Sequence, residues 1–208
     1  AYGGLDVVVN NAGILRDRSI VNMTPEEWDD IVRVHLRGHF VPTRWAAAHW
    51  REEHKAGRPV AASLVHTSST SGLFGNPGQT NYGAAKAGIA AFSAICAQEL
   101  ARYGVRSNCI APAARTRLTE ATPGLGDMVA PPSDDRFDLW DPANVSPLVA
   151  YLAAADCPFN GATFFVQGGT VRFLEPWKLG EGVERDDRWT VADLAGQLAP
   201  LADRTPGA

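Results

Sequence analysis

The chain alternates short apolar runs with longer segments of helical periodicity. The apolar runs predict strands of a parallel sheet, at residues 5–9, 60–67, 105–110 and 162–166. The first of them should be buried on both faces. Two long segments between the runs predict helices at residues 24–54 and 79–103. Strands and helices that alternate in this way form right-handed β-α-β units, so we expect an α/β fold whose parallel sheet has helices on both faces.

Local signals mark the ends of the two long helices. Thr24 is an N-cap, Pro25 suits the first helical position, and Glu27 completes a capping box. Pro42 predicts a kink inside the first helix, and Gly104 predicts the C-terminal cap of the second.

The rest of the chain predicts shorter elements and one long loop. Residues 116–140 are irregular and rich in proline and glycine, which is typical of a lid or binding segment. Helical segments are predicted at residues 141–155 and 190–202.

Composition narrows the function classes. The 208 residues, 45% of them hydrophobic, are enough to bury the core of one globular domain. A net charge of -4 provides no basic surface for phosphates, so nucleic acid is not an expected partner. No segment reaches the roughly 20 apolar residues of a membrane helix, so no membrane partner is expected either. Three widely spaced cysteines fit reduced thiols and predict a cytoplasmic protein.

Candidate site residues follow the predicted strands. Asn11, Ser69 and Pro112 each lie just past the end of one strand. Ligands of a parallel α/β sheet bind beyond the carboxyl ends of its strands. We therefore expect these three residues to converge on one crevice.

Tyr82 and Lys86 are four residues apart on a predicted helix and share one of its faces. An adjacent ammonium favours phenolate and lowers the pKa of a tyrosine toward the range in which it can act as a general acid-base. Ser69 could hydrogen-bond a substrate oxygen while Tyr82 exchanges the proton. Taken alone, a tyrosine and a lysine four residues apart are more typical of a solvated helix face.

Several motifs occur together and in order. They are the Asn-Asn-Ala-Gly run at residues 10–13, Ser69 thirteen positions before Tyr82, the Y-x-x-x-K of Tyr82 and Lys86, and the strand end at residues 108–112. In this combination the chain resembles the short-chain dehydrogenase/reductase family. The resemblance implies a Rossmann-like, doubly wound parallel sheet that lacks the N-terminal strands of the family.

The resemblance also implies an activity, namely hydride transfer between NAD or NADP and a carbonyl or hydroxyl carbon of a small-molecule substrate. Ser69, Tyr82 and Lys86 would be catalytic, and Lys86 would also hold the nicotinamide ribose. The residues implied to line the cofactor are Asn11, Ala12, Gly13, Tyr82, Lys86, Pro112, Ala114 and Thr116. Homodimers or homotetramers through the two long helices are implied as well.

Within that family, residues 13–19, 34–38 and 67–82 resemble the dehydrogenase part of peroxisomal multifunctional β-oxidation enzymes. This narrower resemblance implies interconversion of a secondary alcohol and a ketone, on a 3-hydroxyacyl thioester or a steroid-like substrate. Residues 1–170 would be the C-terminal catalytic part of the Rossmann-like domain. Residues 171–208 would be a C-terminal extension that packs on it.

The chain departs from the family pattern at its front. The glycine-rich turn after the family's first strand has no counterpart, and the chain begins near the fourth strand. We therefore expect roughly 80 to 100 further residues of a doubly wound fold to precede it. The same feature favours an alternative, a non-catalytic reductase-like remnant that acts as a binding or assembly partner.

His35 replaces an asparagine that joins a water-mediated proton relay in most members of the family. The multifunctional enzymes resemble this chain in having His there, so a catalytic role and simple helix packing both stay open. His35 and His39 could share a metal at this spacing, but no third ligand accompanies them and no metal site is predicted. Ala113 stands where the family usually has glycine, which weakens the expected contact with nicotinamide.

Overall fold

The structure, a computed structural model, describes residues 3–120, 126–175 and 177–204, with the backbone alone for 202–204. Its five strands form one sheet in chain order: β1 (Val7–Asn10), β2 (Ala62–Thr67), β3 (Val105–Pro112), β4 (Thr163–Gln167) and β5 (Thr170–Phe173). β1 to β4 are parallel, which confirms the predicted α/β sheet. β5 was not predicted; it pairs antiparallel with β4 after a tight turn.

Helices cover both faces of the sheet. The α-helices are α1 (Pro25–Val32), α2 (Gly38–Lys55), α3 (Thr70–Phe74), α4 (Thr80–Leu100), α5 (Arg117–Glu120), α6 (Ser146–Ala153) and α7 (Val191–Leu198). The short α3 was not predicted. Among the described residues, no helix combines the length and the apolar character that crossing a membrane requires.

The predicted capping box begins α1. The Thr24 side chain accepts a hydrogen bond from the Glu27 amide at 3.2 Å, and the Glu27 carboxylate accepts one from the Thr24 amide at 3.0 Å. A π-helical turn (Arg33–Arg37) separates α1 from α2. Pro42 lies inside α2 and lacks an N–H for the carbonyl of Gly38, the first residue of that helix.

Two buried apolar clusters pack against opposite faces of the sheet. One joins α2 and α4 to the sheet and comprises Ala46, Trp50, Ala62, Leu64, Cys96, Leu100 and Val105. The other lies under α6 and comprises Val65, Ile110, Leu148, Leu152, Cys157, Ala162, Phe164 and Val166. Consecutive residues of β2 enter different clusters because neighbouring side chains of a strand point to opposite faces.

β1 is more exposed than the apolar pattern predicted. Val7 and Val9 keep 36% and 46% of their surface accessible, although both were expected in a strand buried on both faces. β1 is the edge strand of the described sheet, and its ladder pairs it only with β2. Trp50, from α2, is buried and donates its indole N–H to the Leu5 carbonyl at 2.5 Å.

The chain divides into two compact units, Ala1–Glu175 and Pro176–Ala208. The first holds the sheet and α1 to α6. In the second, Thr190 caps α7 by accepting a hydrogen bond from the Asp193 amide at 3.2 Å. The Asp193 carboxylate also pairs with Arg185 at 2.9 Å.

Gly104 should tolerate alanine much less well than Gly57. Both glycines follow a helix and have positive φ, 78° and 74° respectively, so an alanine at either would be strained. Only at Gly104 would the new Cβ also collide with backbone, 2.2 Å from the Val60 carbonyl oxygen, whereas Gly57 has nothing within 4 Å. We expect Gly104→Ala to lower the free energy of unfolding by at least about 1 kcal/mol more than Gly57→Ala, the scale of overpacking. Urea unfolding of both variants measures the difference, and equal losses would contradict it.

Candidate functional site

The strand ends meet at one edge of the sheet, as predicted. Asn10 lies opposite His66, and Thr67 lies opposite Ile110. β2 therefore extends one residue past the end of its pairing with β1. Ser68 and Ser69 continue from β2 at this edge.

Lys86 is buried in this edge, with only 3% of its surface exposed. Its Nζ donates a hydrogen bond to the Thr67 carbonyl at 2.6 Å. Burial lowers the pKa of Lys86 to about 8. The Ser68 hydroxyl donates to the Lys86 carbonyl at 2.7 Å, so α4 is tied to the end of β2 through both backbone and side chain.

Tyr82 lies one turn before Lys86, and its ring centroid is 5.5 Å from the lysine Nζ. Burial raises the pKa of Tyr82, a hydrogen bond with the Ser69 side chain lowers it, and the Asp17 carboxylate raises it, with a net increase. This direction is opposite to the one expected from a neighbouring ammonium. The reason is geometric: the Lys86 Nζ lies toward the ring and the Thr67 carbonyl, and burial outweighs the bond to Ser69.

Ser69 lies two residues after the end of β2 and is the N-cap of α3. Its Oγ accepts a hydrogen bond from the Ser71 amide at 3.2 Å, which caps α3. Gly72 lets α3 approach α4, because a Cβ there would lie 2.7 Å from Lys86 Cβ and 2.6 Å from the Ala87 nitrogen. The hydroxyls of Ser69 and Tyr82 are thus brought together by helix packing.

His35 is fully buried, and its ring meets that of Tyr82 edge-on at 5.1 Å between centroids. Its Nε2 lies 2.8 Å from the Ile14 carbonyl and 3.1 Å from the Ile14 amide. Burial, with the Lys86 charge second, lowers the pKa of His35 to about 4, so the ring is neutral. Gly13 is required by this packing, since a Cβ on it would lie 2.7 Å from the His35 ring.

Two further histidines are buried nearby. His39 donates from Nδ1 to the His35 carbonyl at 2.7 Å, and its ring stacks on His66 at 5.7 Å. The His66 Nδ1 accepts from the Asn10 amide group at 3.3 Å. Burial lowers the pKa of His39 to about 4 and that of His66 to about 3. Across the described ranges, no group of three or more His, Cys, Asp or Glu could hold a metal ion.

The residues expected to line a cofactor lie at the same edge. Asn11, Ala12 and Gly13 follow β1, the first two exposed and the third half-buried. Pro112 ends β3, Ala114 is half-buried, and Thr116 is exposed where α5 begins. The Thr116 Oγ1 accepts from the Thr119 amide at 3.2 Å.

Two polar anchors of the site were not predicted from the sequence. Asn81 is fully buried; its Nδ2 donates to the carbonyls of Arg16 and Glu27 at 3.1 and 3.3 Å, and its Oδ1 accepts from the Tyr82 amide at 2.7 Å. In the loop after β3, Arg115 and Asp138 form a bidentate pair at 2.5 and 3.3 Å. Asn81 could have been predicted as an anchor because it directly precedes Tyr82. The pairing of Arg115 with Asp138 could not, because nothing in the sequence relates these two distant positions.

A comparison with known families agrees with this geometry. The family model described as short chain dehydrogenase matches residues 1–126. The chain belongs to the short-chain dehydrogenase family. A short-chain dehydrogenase from Mycobacterium avium, known from its crystal structure, shares the fold with a TM-score of 0.87 and 46% identity, over 99% of this chain and 68% of that one.

Two relatives indicate the branch of the family. The chain is 49% identical to the hydroxyacyl-CoA dehydrogenase ChsB1 of Mycobacterium tuberculosis, over 98% of this chain and 65% of that protein. It is 43% identical to mouse peroxisomal multifunctional enzyme type 2, over 82% of this chain and 21% of that protein. The chain thus spans less than two thirds of the length of these relatives.

The three buried histidines should make the fold sensitive to mild acid. Between their ordinary pKa near 6.5 and the lowered values of about 3 to 4, the unfolded chain binds protons that the folded chain does not. Each histidine then lowers the free energy of unfolding by roughly 1.4 kcal/mol per pH unit as pH falls. We expect the thermal midpoint to fall between about pH 6.5 and about pH 5, a range above the ordinary pKa of carboxylates.

His66→Asn tests this origin, because asparagine keeps an acceptor for Asn10 and cannot titrate. The dependence of stability on pH should become about one third shallower. His49→Asn, at an exposed histidine of α2, is the matched control and should leave it unchanged. An unaltered slope in His66→Asn would refute the assignment.

Proposed function

We propose that the protein is an NAD(P)-dependent oxidoreductase that interconverts a secondary alcohol and a ketone, with a 3-hydroxyacyl thioester as its substrate class. The observation that carries the proposal is the arrangement of Ser69, Tyr82 and the buried Lys86 at one sheet edge. The names of the two relatives, a hydroxyacyl-CoA dehydrogenase and a peroxisomal multifunctional enzyme, support the substrate class.

We assign the proton transfer to Tyr82. Its hydroxyl would donate a proton to the substrate oxygen during reduction and accept one during oxidation, while Ser69 holds the same oxygen by a hydrogen bond. Lys86 lies within one turn of Tyr82 and would offset negative charge that develops on the phenol oxygen. His35 would position the Tyr82 ring through their edge-on contact.

The residues at this edge fit a nicotinamide nucleotide. Lys86 Nζ carries three donors, and the Thr67 carbonyl takes one of them, so the ammonium has donors for ribose hydroxyls. Asn11, Ala12 and Gly13 after β1, and Pro112, Ala114 and Thr116 at and after the end of β3, would line the same group. When bound, the nicotinamide supplies or accepts the hydride. Both NAD and NADP are compatible with these residues.

We also propose that the protein is a homo-oligomer located in the cytoplasm. Large apolar side chains are exposed on α2 and α4, with Trp45 at 66%, Phe40 at 49% and Ile95 at 53% accessible. A surface of this kind is typical of a protein interface. The three free, buried cysteines fit a reducing compartment.

Tyr82→Phe should lower kcat by at least ~100-fold, the usual scale of a lost acid-base group. The assay is the oxidation of a 3-hydroxyacyl-CoA, followed by the absorbance of the reduced nicotinamide. Tyr151→Phe, at an exposed tyrosine of α6, is the matched control and should keep the parental rate. A Tyr82→Phe protein with the parental kcat would end the proposal.

NADH and NADPH should each be tested by fluorescence titration of the protein as its gene encodes it, and at least one should bind saturably. Lys86→Met should weaken that binding by at least ~10-fold, the scale of a lost charge-assisted hydrogen bond. Lys55→Met, at an exposed lysine of α2, is the control. Absence of saturable binding to either nucleotide would favour the non-catalytic remnant.

A further inference from the structure

Asn81 is a fully buried amide in the first turn of α4, directly before Tyr82. Its Nδ2 donates hydrogen bonds to the Arg16 carbonyl at 3.1 Å and to the Glu27 carbonyl at 3.3 Å. Its Oδ1 accepts a hydrogen bond from the Tyr82 amide at 2.7 Å. One side chain therefore connects the start of α4 to α1 and to the segment that follows β1. Nothing in the proposed chemistry uses Asn81 directly.

The bond with the Tyr82 amide takes the place of a helix cap. The first amides of a helix have no carbonyl of that helix as a partner, and the side chain at the N-cap usually accepts one of them. The N-cap of α4 is Gln79, whose Nε2 donates instead to the Asp17 carboxylate at 2.7 Å and whose Oε1 accepts from Asn76 at 2.9 Å. Asn81 accepts the Tyr82 amide from within the first turn.

The bond to the Arg16 carbonyl closes a ring of contacts around Tyr82. The Tyr82 ring meets the His35 ring edge-on at 5.1 Å, and the His35 Nε2 lies 2.8 Å from the Ile14 carbonyl. Two residues further along the same segment, the Arg16 carbonyl accepts from Asn81. The segment that follows β1 is therefore attached to the tyrosine twice, through His35 to its ring and through Asn81 to its backbone.

Other contacts join the same two segments ahead of the helix. The Arg18 amide donates to the Gly78 carbonyl at 2.8 Å, and the Gln79 side chain binds the carboxylate described above. Both contacts involve exposed residues after β1 and precede the first turn of α4. The contact of Asn81 lies inside that turn and is shielded from water, so it acts most directly on the backbone of Tyr82.

We propose that Asn81 is a positioning residue for the reaction of Tyr82: by donating to the Arg16 carbonyl it fixes the first turn of α4 against the segment that follows β1. The inference rests on the proposed function and deepens it. Lys86, one turn later, is fixed independently, because its ammonium and its carbonyl are both bound near the end of β2. Loss of the Asn81 contact should therefore displace Tyr82 while Lys86 stays in place.

Two variants remove the donors of Asn81 in different ways. Asn81→Asp keeps the shape of the side chain and an acceptor for the Tyr82 amide, but an ionised carboxylate has no donor for the Arg16 carbonyl. Asn81→Ala removes the donors and the acceptor together and adds no charge. A loss of activity that both variants share is therefore due to the missing donors.

The test measures kcat and KM for oxidation of a 3-hydroxyacyl-CoA at about pH 9, where an aspartate is ionised, and the binding of NADH or NADPH by fluorescence. We expect both variants to lower kcat by roughly 10- to 100-fold, the scale of a misplaced catalytic group, with KM for the acyl substrate and Kd for the nucleotide within about 2-fold. Nucleotide binding should be kept because Lys86 keeps its contacts.

Asn160→Asp and Asn160→Ala are the matched controls. The Asn160 side chain also donates to a carbonyl, that of Ala97 at 3.3 Å, and accepts from an amide, that of Ser107 at 2.9 Å. These contacts lie near the C-terminal end of α4, away from Tyr82. Both control variants should keep the parental kcat.

Three results would overturn the inference alone. A parental kcat in Asn81→Asp would leave Asn81 only the role of a helix cap, and a parental kcat in Asn81→Ala would leave only an effect of the added charge. A loss of nucleotide binding as large as the loss of kcat would show that Lys86 had moved as well. A parental kcat in Tyr82→Phe would instead overturn the proposed function and the inference with it.

Discussion

The hydrogen bond between the buried Lys86 ammonium and the Thr67 carbonyl is the constraint on which the site depends. An ammonium removed from water loses its hydration, a cost that appears as a pKa lowered to about 8. The fold offsets this cost with a carbonyl left free where β1 has ended. A sheet edge with strands of unequal length therefore supplies what an unbroken ladder could not: a backbone acceptor for a side-chain cation.

The same cation determines the state of the polar residues around it. Burial is the largest cause of the lowered pKa of His35 and His39, and the positive charge of Lys86 is the second. Both effects keep the two rings neutral. A neutral imidazole can accept a hydrogen bond as well as donate one, which a protonated ring cannot. Neutral histidines can thus link helix turns and strand ends close to a lysine without adding like charge.

Local chemistry made much of the fold and site predictable. The spacing of Tyr82 and Lys86, the capping box at Thr24 and the cap at Gly104 each depend on a few neighbouring residues, and the structure has all of them. The exposure of β1, the hairpin strand β5 and the short α3 depend on which segments meet in space. Periodicity along the chain does not encode that information, so these features were missed.

The packing of His39 and His66 was not predicted, for a related reason. A histidine in a helix or strand can lie on the surface, bind a metal or be buried in the core. Only the groups that it contacts in the folded protein decide between these. His66 lies in an apolar run, and its polar partner Asn10 is on another strand. The partner of the His39 Nε2, the Thr67 amide, is a backbone group that every sequence contains. No residue type could have indicated it.

Burial acts on Tyr82 and Lys86 in opposite directions, since it raises the pKa of the phenol and lowers that of the ammonium. Both shifts favour the neutral side chain. A neutral phenol beside Ser69 is the form that can donate a proton to a carbonyl oxygen, which is the need of a reduction. Oxidation needs the phenolate instead, whose negative charge must be offset by the Ser69 hydroxyl and the Lys86 ammonium. The position of Lys86, set by Thr67, therefore matters most in the oxidative direction.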